Sequence, residues 1–215
     1  MRKTIHLFLV MIITFSVSCN SKKNLSNSKN LSNIGLQNEE LVVPRRAEVL
    51  FLGHNSQHHD SQKYAPWLSI KLFKSGVNLT YTNNLSDLNK DNLSKYDGIV
   101  IYANHETIAP EQETALRDFV EGGKGLIALH SAAGCFKNSQ WYLNTIGGQF
   151  AAHGEGDFTG KIVNAKHEVM KGISEFTTWD ETYVHKNINP VMTVLMERAN
   201  GGKMEPYTWV RNQGK

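Results

Sequence analysis

The residues with most chemical potential in this 215-residue chain are histidines placed just after short apolar runs. His130 and Ser131 follow the run in KGLIALHSAAG, residues 124–134; His54, His58 and His59 follow AEVLFLG; His105 follows DGIVIYAN. His153 stands beyond Gly147-Gly148. Imidazoles in such positions bind a divalent metal, move protons or hydrogen-bond sugar hydroxyls. A second constellation is Trp179-Asp180-Glu181-Thr182-Tyr183. A carboxylate beside a histidine can orient its tautomer, act as a base or complete a metal shell. His130, Asp180 and Glu181 are the candidate acid–base groups, and His54, His105 and His153 the candidate ligands of a divalent metal. The metal reading rests on expected proximity alone, because no linear H-E-x-x-H pattern is present.

Other residues carry two readings. Ser131 is a candidate substrate contact or a turn-former that hydrogen-bonds the backbone. Neither G-x-S-x-G nor G-x-C-x-G surrounds it, which argues against a nucleophile elbow. Cys135 reads as a loop or packing residue, since nothing nearby argues for a lowered thiol pKa. Trp141 and Tyr142 form either a platform for a sugar ring or an aromatic pair in the core. His58-His59 is a solvated loop or part of the site, and Glu106 is a further candidate carboxylate. His167 and His185 read as surface or structural residues.

Elements that position these groups follow from periodicity. Residues 47–53 and 97–103 are compact apolar strands, and VNLTYT at 77–82 alternates as a third. The run at 125–130 has the length of a strand buried on both faces of a parallel sheet. Tyr64, Leu68 and Leu72 recur at helical spacing within 62–75, ahead of Gly76. Residues 83–96 read as irregular or a short helix. Pro110 suits a first helical position, with Glu111 and Glu113 near the positive end of the dipole and Gly122-Gly123 as the stop. Residues 139–146 read as a short helix. Further strands are expected at 158–163, 178–185, 191–197 and 207–211. Strand–helix alternation at this spacing demands parallel pairing with right-handed crossovers, although strand order does not follow from it. Ligands in such sheets bind beyond the carboxyl ends of the strands, where His54, His105 and His130 fall.

Composition bounds the rest. A hydrophobic fraction of 40% and a charged fraction of 20% are those of a soluble globular domain. Net charge is only +3, and no basic cluster interleaves with aromatics, which excludes nucleic acid as an expected partner. Residues 1–19 read as a lipoprotein-type signal: Arg2-Lys3, an apolar core over 5–15, and small residues before Cys19, the expected lipidation site. A plain secretory signal cut near Ser18 is the alternative. The apolar run is far short of the roughly 20 residues that span a bilayer. An Asn/Ser/Lys-rich flexible tether is expected over 20–46, and one folded domain over 47–215. The expected location is the cell envelope, periplasmic or surface-exposed, with the membrane reached through a lipid anchor.

DGIVIYAN, the unit PEQ…LRDFVEGGKGLIALHSA, WYLNTIGGQFAAHG, KHEVMKGISEFTTWDETYVHKNINPVMTVLMER and PYTWVRNQGK together resemble the ThuA-like (trehalose-utilisation) family over about residues 47–215. That resemblance implies a fold like that of class I glutamine amidotransferases: a flavodoxin-like α/β three-layer sandwich with a mostly parallel central sheet. In this family a last strand ends in a Gly-His pair, and its absence suggests a fragment lacking that strand. The resemblance further implies a role in carbohydrate utilisation beside proteins that handle oxidised disaccharides. It also places Asp180, Glu181 and Tyr183 in the cleft. The amidotransferase turn carries a cysteine where this chain has His130 and Ser131, so cysteine-dependent amidotransfer is not expected. The expected function is that of an enzyme acting on a sugar or sugar derivative; a non-catalytic sugar-binding lipoprotein is the alternative.

Overall fold

The computed structural model describes residues 45–214. Cys19, the signal and nearly all of the expected tether lie outside them.

The first half alternates as its periodicity demands. β1 (Ala47–Gly53) leads to α1 (Ser61–Phe73) and β2 (Val77–Thr82). A single turn of 3₁₀-helix and the short α2 (Lys90–Leu93) precede β3 (Gly98–Tyr102), α3 (Pro110–Glu121) and β4 (Gly125–Ala128). These four strands are all parallel, in the order β2-β1-β3-β4. That is the flavodoxin-like order, with its switch point between β1 and β3.

Alternation along β1 and β3 sends side chains into two separate cores. Leu50, Leu52, Ile99 and Ile101 pack on one face with Leu93, Leu116, Phe119 and the later Tyr142. Phe51, Val100 and Tyr102 pack on the other against Ala65, Tyr64 and Leu68 of α1. The helices on both faces make the three layers. Leu50, Phe51 and Leu52 are at most 1% exposed, and each contributes about 1.5–3 kcal/mol of burial.

The strand of KGLIALHSAAG departs from expectation. β4 is an edge strand: only β3 pairs with it among the described residues, Gly125 and Ala128 are exposed, and Leu126 and Ile127 are half-buried. Its apolar run reflects packing above and below the sheet, since Leu126 touches one core and Ile127 the other. Helix covers both faces, and among the described residues no strand pairs with its outer backbone edge.

Beyond α4 (Gln140–Ile146) the chain builds a second, antiparallel sheet from β5 (Gln149–Ile162), β6 (Phe176–Lys186), β7 (Thr193–Asn200) and β8 (Lys203–Val210). Its order is β6-β5-β7-β8. β5 starts nine residues before the expected strand at 158–163, because its glycine-rich half, FAAHGEG, pairs with β6 along its length. Ladder pairing outweighs the weak strand propensity of Gly154 and Gly156.

Gly147 docks the two sheets. It ends α4 at φ +89°, and a Cβ there would lie 2.9 Å from the indole nitrogen of Trp209. That indole donates to the carbonyl of Ile146 at 2.7 Å. A small left-handed residue at this helix end lets β8 seat its tryptophan on the parallel half.

Candidate active site

Three strand ends and one face of the antiparallel sheet enclose the site. At the switch point, β1 ends in Gly53 and His54. A Cβ on Gly53 would fall 2.3 Å from the Tyr81 ring and 2.4 Å from Ser61 Oγ, so only glycine fits there. Ser61 Oγ accepts from His54 N–H at 2.7 Å and donates to the His54 carbonyl at 3.0 Å. Asp60 caps α1, accepting from Lys63 N–H at 3.3 Å. The His54 ring stacks on that of His105 with centroids 4.3 Å apart, and His105 Nε2 lies 3.2 Å from the Gly53 carbonyl. Burial, with His54 beside it, lowers the pKa of His105, which favours a neutral ring.

Beside this crevice sits His130. Leu129 N–H still donates to the Ile101 carbonyl at 2.9 Å, continuing the β4 register, and the chain then turns sharply. His130 takes φ +50°, a left-handed conformation that costs a non-glycine residue roughly 1–2 kcal/mol. The turn is held from behind. Ala132 N–H donates to the Leu129 carbonyl at 3.0 Å, and the buried Tyr142 hydroxyl donates to the Ala132 carbonyl at 3.0 Å. A strained strand-to-helix elbow is therefore present without its sequence signature, and it presents an imidazole.

The wall opposite comes from β5 and β6. A bulge at Ala151 shifts their register between Phe150 and Ala152. Phe150 and His153, three residues apart, thereby both face Tyr183, with ring centroids at 4.7 and 5.9 Å. Cross-strand partners His153–Tyr183 and Glu155–Glu181 complete that face. Arg198, only 2% exposed, reaches across from β7 to donate to the Tyr183 carbonyl.

His130 receives groups on both ring nitrogens. Tyr183 Oη lies 3.1 Å from Nδ1; Glu181 Oε2 lies 3.5 Å and Asp180 Oδ1 3.9 Å from Nε2. Strand alternation alone would set Asp180 and Glu181 on opposite sides. Both reach the histidine because Asp180 curls along its own strand, where Oδ1 also accepts from Glu181 N–H at 2.8 Å. Burial, and then the neighbouring Glu181, hold the Tyr183 hydroxyl far above the ordinary phenol range, so it keeps its proton. The rings of His59 and Tyr102 close the remaining sides, at 5.0 and 6.0 Å from His130. Burial lowers the pKa of His59, with His130 adding repulsion.

The expected residues divide accordingly. His130, Asp180, Glu181 and Tyr183 converge. His153 joins their rim, whereas His54 and His105 form the adjoining stacked pair. The expected ligand trio does not assemble: among the described residues, His54 and His105 belong to no group with metal-ligand spacing, and His153 shares one with Glu155 and Glu181. His54 and His105 follow the ends of β1 and β3 and stack on each other, whereas His153 lies within β5 opposite Tyr183. Ser131 is 3% exposed, and among the described residues its Oγ has no hydrogen-bond partner, so its side chain does not tie the turn. Trp141 lies elsewhere, donating to Glu121 Oε1 at 2.8 Å beside an open groove of about 520 Å³ shared with Ile188 and Arg211. Tyr142 is fully buried, as a core aromatic. Glu106 is a surface group paired with Lys137 at 2.7 Å. Cys135 is buried, which pushes its thiol up to about 12.

Sequence reasoning missed Tyr102, Phe150 and Glu155 and left His59 undecided. The loop settles His59: Asn55 bridges Asp60, Ser56 Oγ accepts from His59 N–H at 3.1 Å, and the ring turns inward while His58 stays exposed. Two adjacent histidines on a tight loop must point apart, but which one enters the site is not encoded locally.

An imidazole with a phenol on one nitrogen and two carboxylates on the other is suited to proton transfer. Against known proteins, a family model described as ThuA, trehalose utilisation, matches residues 48–215. Among solved structures, a ThuA-like protein from Parabacteroides merdae superposes with TM-score 0.66 at 14% identity, covering 79% of this chain and 76% of that one. Another, from Bacteroides uniformis, gives TM-score 0.64 at 20% identity over 77% of this chain and 76% of its own. A comparison with curated proteins finds no match. Such identities speak for the fold, and the family model spans most of the sequence. The chain belongs to the ThuA family of trehalose utilisation.

Proposed function

We propose that this protein is a cell-envelope lipoprotein that acts as an enzyme on a sugar or an oxidised disaccharide. One observation carries the catalytic reading: His130 stands on a strained elbow with Glu181 and Asp180 at 3.5 and 3.9 Å from Nε2 and Tyr183 at 3.1 Å from Nδ1. Strain of this sort persists where surrounding structure holds it, and it clusters at functional sites. His130 and one carboxylate exchange a proton with substrate. Tyr183 fixes the orientation of the imidazole through its hydroxyl at Nδ1. A ketone in an oxidised sugar acidifies the neighbouring C–H, which makes proton abstraction there feasible for a carboxylate or imidazole base. The sugar class comes from the family, and the envelope location from the signal and Cys19.

The test is turnover by the full-length protein of disaccharides and their 3-keto forms, followed by product analysis. Conversion that is lost in His130→Ala, with sugar binding retained, is the expected result. Binding without turnover on every sugar would overturn the enzyme reading and leave a sugar-binding lipoprotein. The anchor has its own readout, because Cys19→Ser should release the protein from the membrane fraction.

A further inference from the structure

We propose that His59, His130 and Glu181 form a site for one divalent first-row metal ion, of the two-histidine, one-carboxylate kind. The three come from the loop after β1, the elbow after β4 and the middle of β6. Their ligand atoms nevertheless all lie within 4.8 Å of one another. Donors on a tetrahedral ion with bonds of about 2.1 Å stand about 3.4 Å apart. The 3.5 Å between His130 Nε2 and Glu181 Oε2 already has that spacing. His59 is 9% exposed, and the site is walled by the rings of Tyr102 and Tyr183.

The surroundings supply what such a centre needs beyond its ligands. Tyr183 Oη, 3.1 Å from His130 Nδ1, occupies the outer nitrogen, as hydrogen-bonding partners of metal-bound histidines do. That leaves Nε2 for the ion. Asp180 Oδ1, 3.9 Å from the same nitrogen, is placed to become a fourth ligand or to take a proton from a bound water. Three protein ligands with an open position is the arrangement of catalytic rather than structural sites. The ligand class this predicts is a vicinal hydroxy-ketone or diol, whose oxygens an ion polarises. A second group, His153, Glu155 and Glu181, shares the same carboxylate, but two of its members are exposed. The half-buried trio is the better cage.

This deepens the sugar-enzyme reading and reassigns a duty within it. With an ion bound, His130 is a ligand and proton transfer passes to Asp180. Binding is measured without substrate, so metal binding and turnover can fail separately.

The experiment strips the full-length protein with chelator and titrates it with Zn²⁺, and with Co²⁺ as a visible-absorption reporter. One ion per chain is expected, with Co²⁺ bands that Zn²⁺ displaces. His59→Gln and Glu181→Gln should each weaken binding by more than the about 10–100-fold that outer-sphere partners contribute, and Tyr183→Phe by about 10-fold. His54→Ala and His153→Ala should leave affinity unchanged, and circular dichroism shows that each variant folds. Absence of saturable binding, or a loss confined to His153→Ala, would overturn the proposal.

Discussion

The Tyr183 hydroxyl meets Nδ1 of His130 at 3.1 Å across 53 residues of sequence. That contact joins the parallel half of the fold to the antiparallel half at the point where both present polar groups. Tyr183→Phe keeps the ring and its packing on Phe150 but removes the hydrogen bond. We expect kcat on the active sugar to fall about 10–100-fold with little change in KM, as for loss of a group that orients another. Steady-state kinetics with the wild type alongside is the check, and an equal rise in KM alone would point to substrate binding instead.

The backbone of His130 makes a second prediction, about stability. At φ +50°, asparagine is tolerated and a β-branched residue is not. His130→Asn should stay within about 0.5 kcal/mol of wild type, whereas His130→Val should lose about 1–3 kcal/mol. Both should lose activity. Urea denaturation separates them, and equal stability of the two variants would contradict the strained elbow.

Gly53→Ala should be costly although it adds one methyl group. The new Cβ would sit 2.3 Å from Tyr81 and 2.4 Å from Ser61 Oγ, on backbone paired in register with Tyr102 of β3. Overpacking of this kind costs about 1–3 kcal/mol. Thermal unfolding measures it. A serine clamp pushed aside also frees His54, so activity should fall with stability.

His185 should make the fold sensitive to mild acid. Its ring is 9% exposed against Trp209, with Glu205 at 3.8 Å and the Arg198 guanidinium acting on it. Burial lowers its pKa despite the carboxylate. A depressed folded pKa means that the unfolded chain binds the proton first. The stability from the neutral ring is therefore complete above about pH 6.5 and declines as pH falls from there through the folded value. His185→Gln should flatten the stability–pH curve between about pH 7 and 5 by up to one proton's worth of slope. Parallel curves for the two proteins would refute it.

Much of the scaffold was legible along the chain, and particular residues show why. Apolar runs at 47–53 and 97–103 and the helix opened by Pro110 and closed by Gly122 carry local signals, and they form as read. The first half of β5 did not read as a strand because Gly154 and Gly156 have no side chains to alternate; its pairing with β6 is a long-range fact. His130 falls where the apolar run of β4 ends, as the sequence places it, yet its elbow has no motif. Its left-handed turn is imposed by contacts with Tyr142 and the loop after β3.

By itself, then, the sequence determined the parallel α/β half, the family, and the placing of His130 and His105 at the carboxyl ends of strands. The strands and the histidine placements depend on short-range periodicity, and the family on motifs spread along the chain. Tertiary structure alone decided that β4 lies at the edge, that a bulge at Ala151 turns Phe150 and His153 to one face, and that His59 rather than His54 meets His130. Each of these is a relation between segments distant along the chain, set by which surfaces pack together.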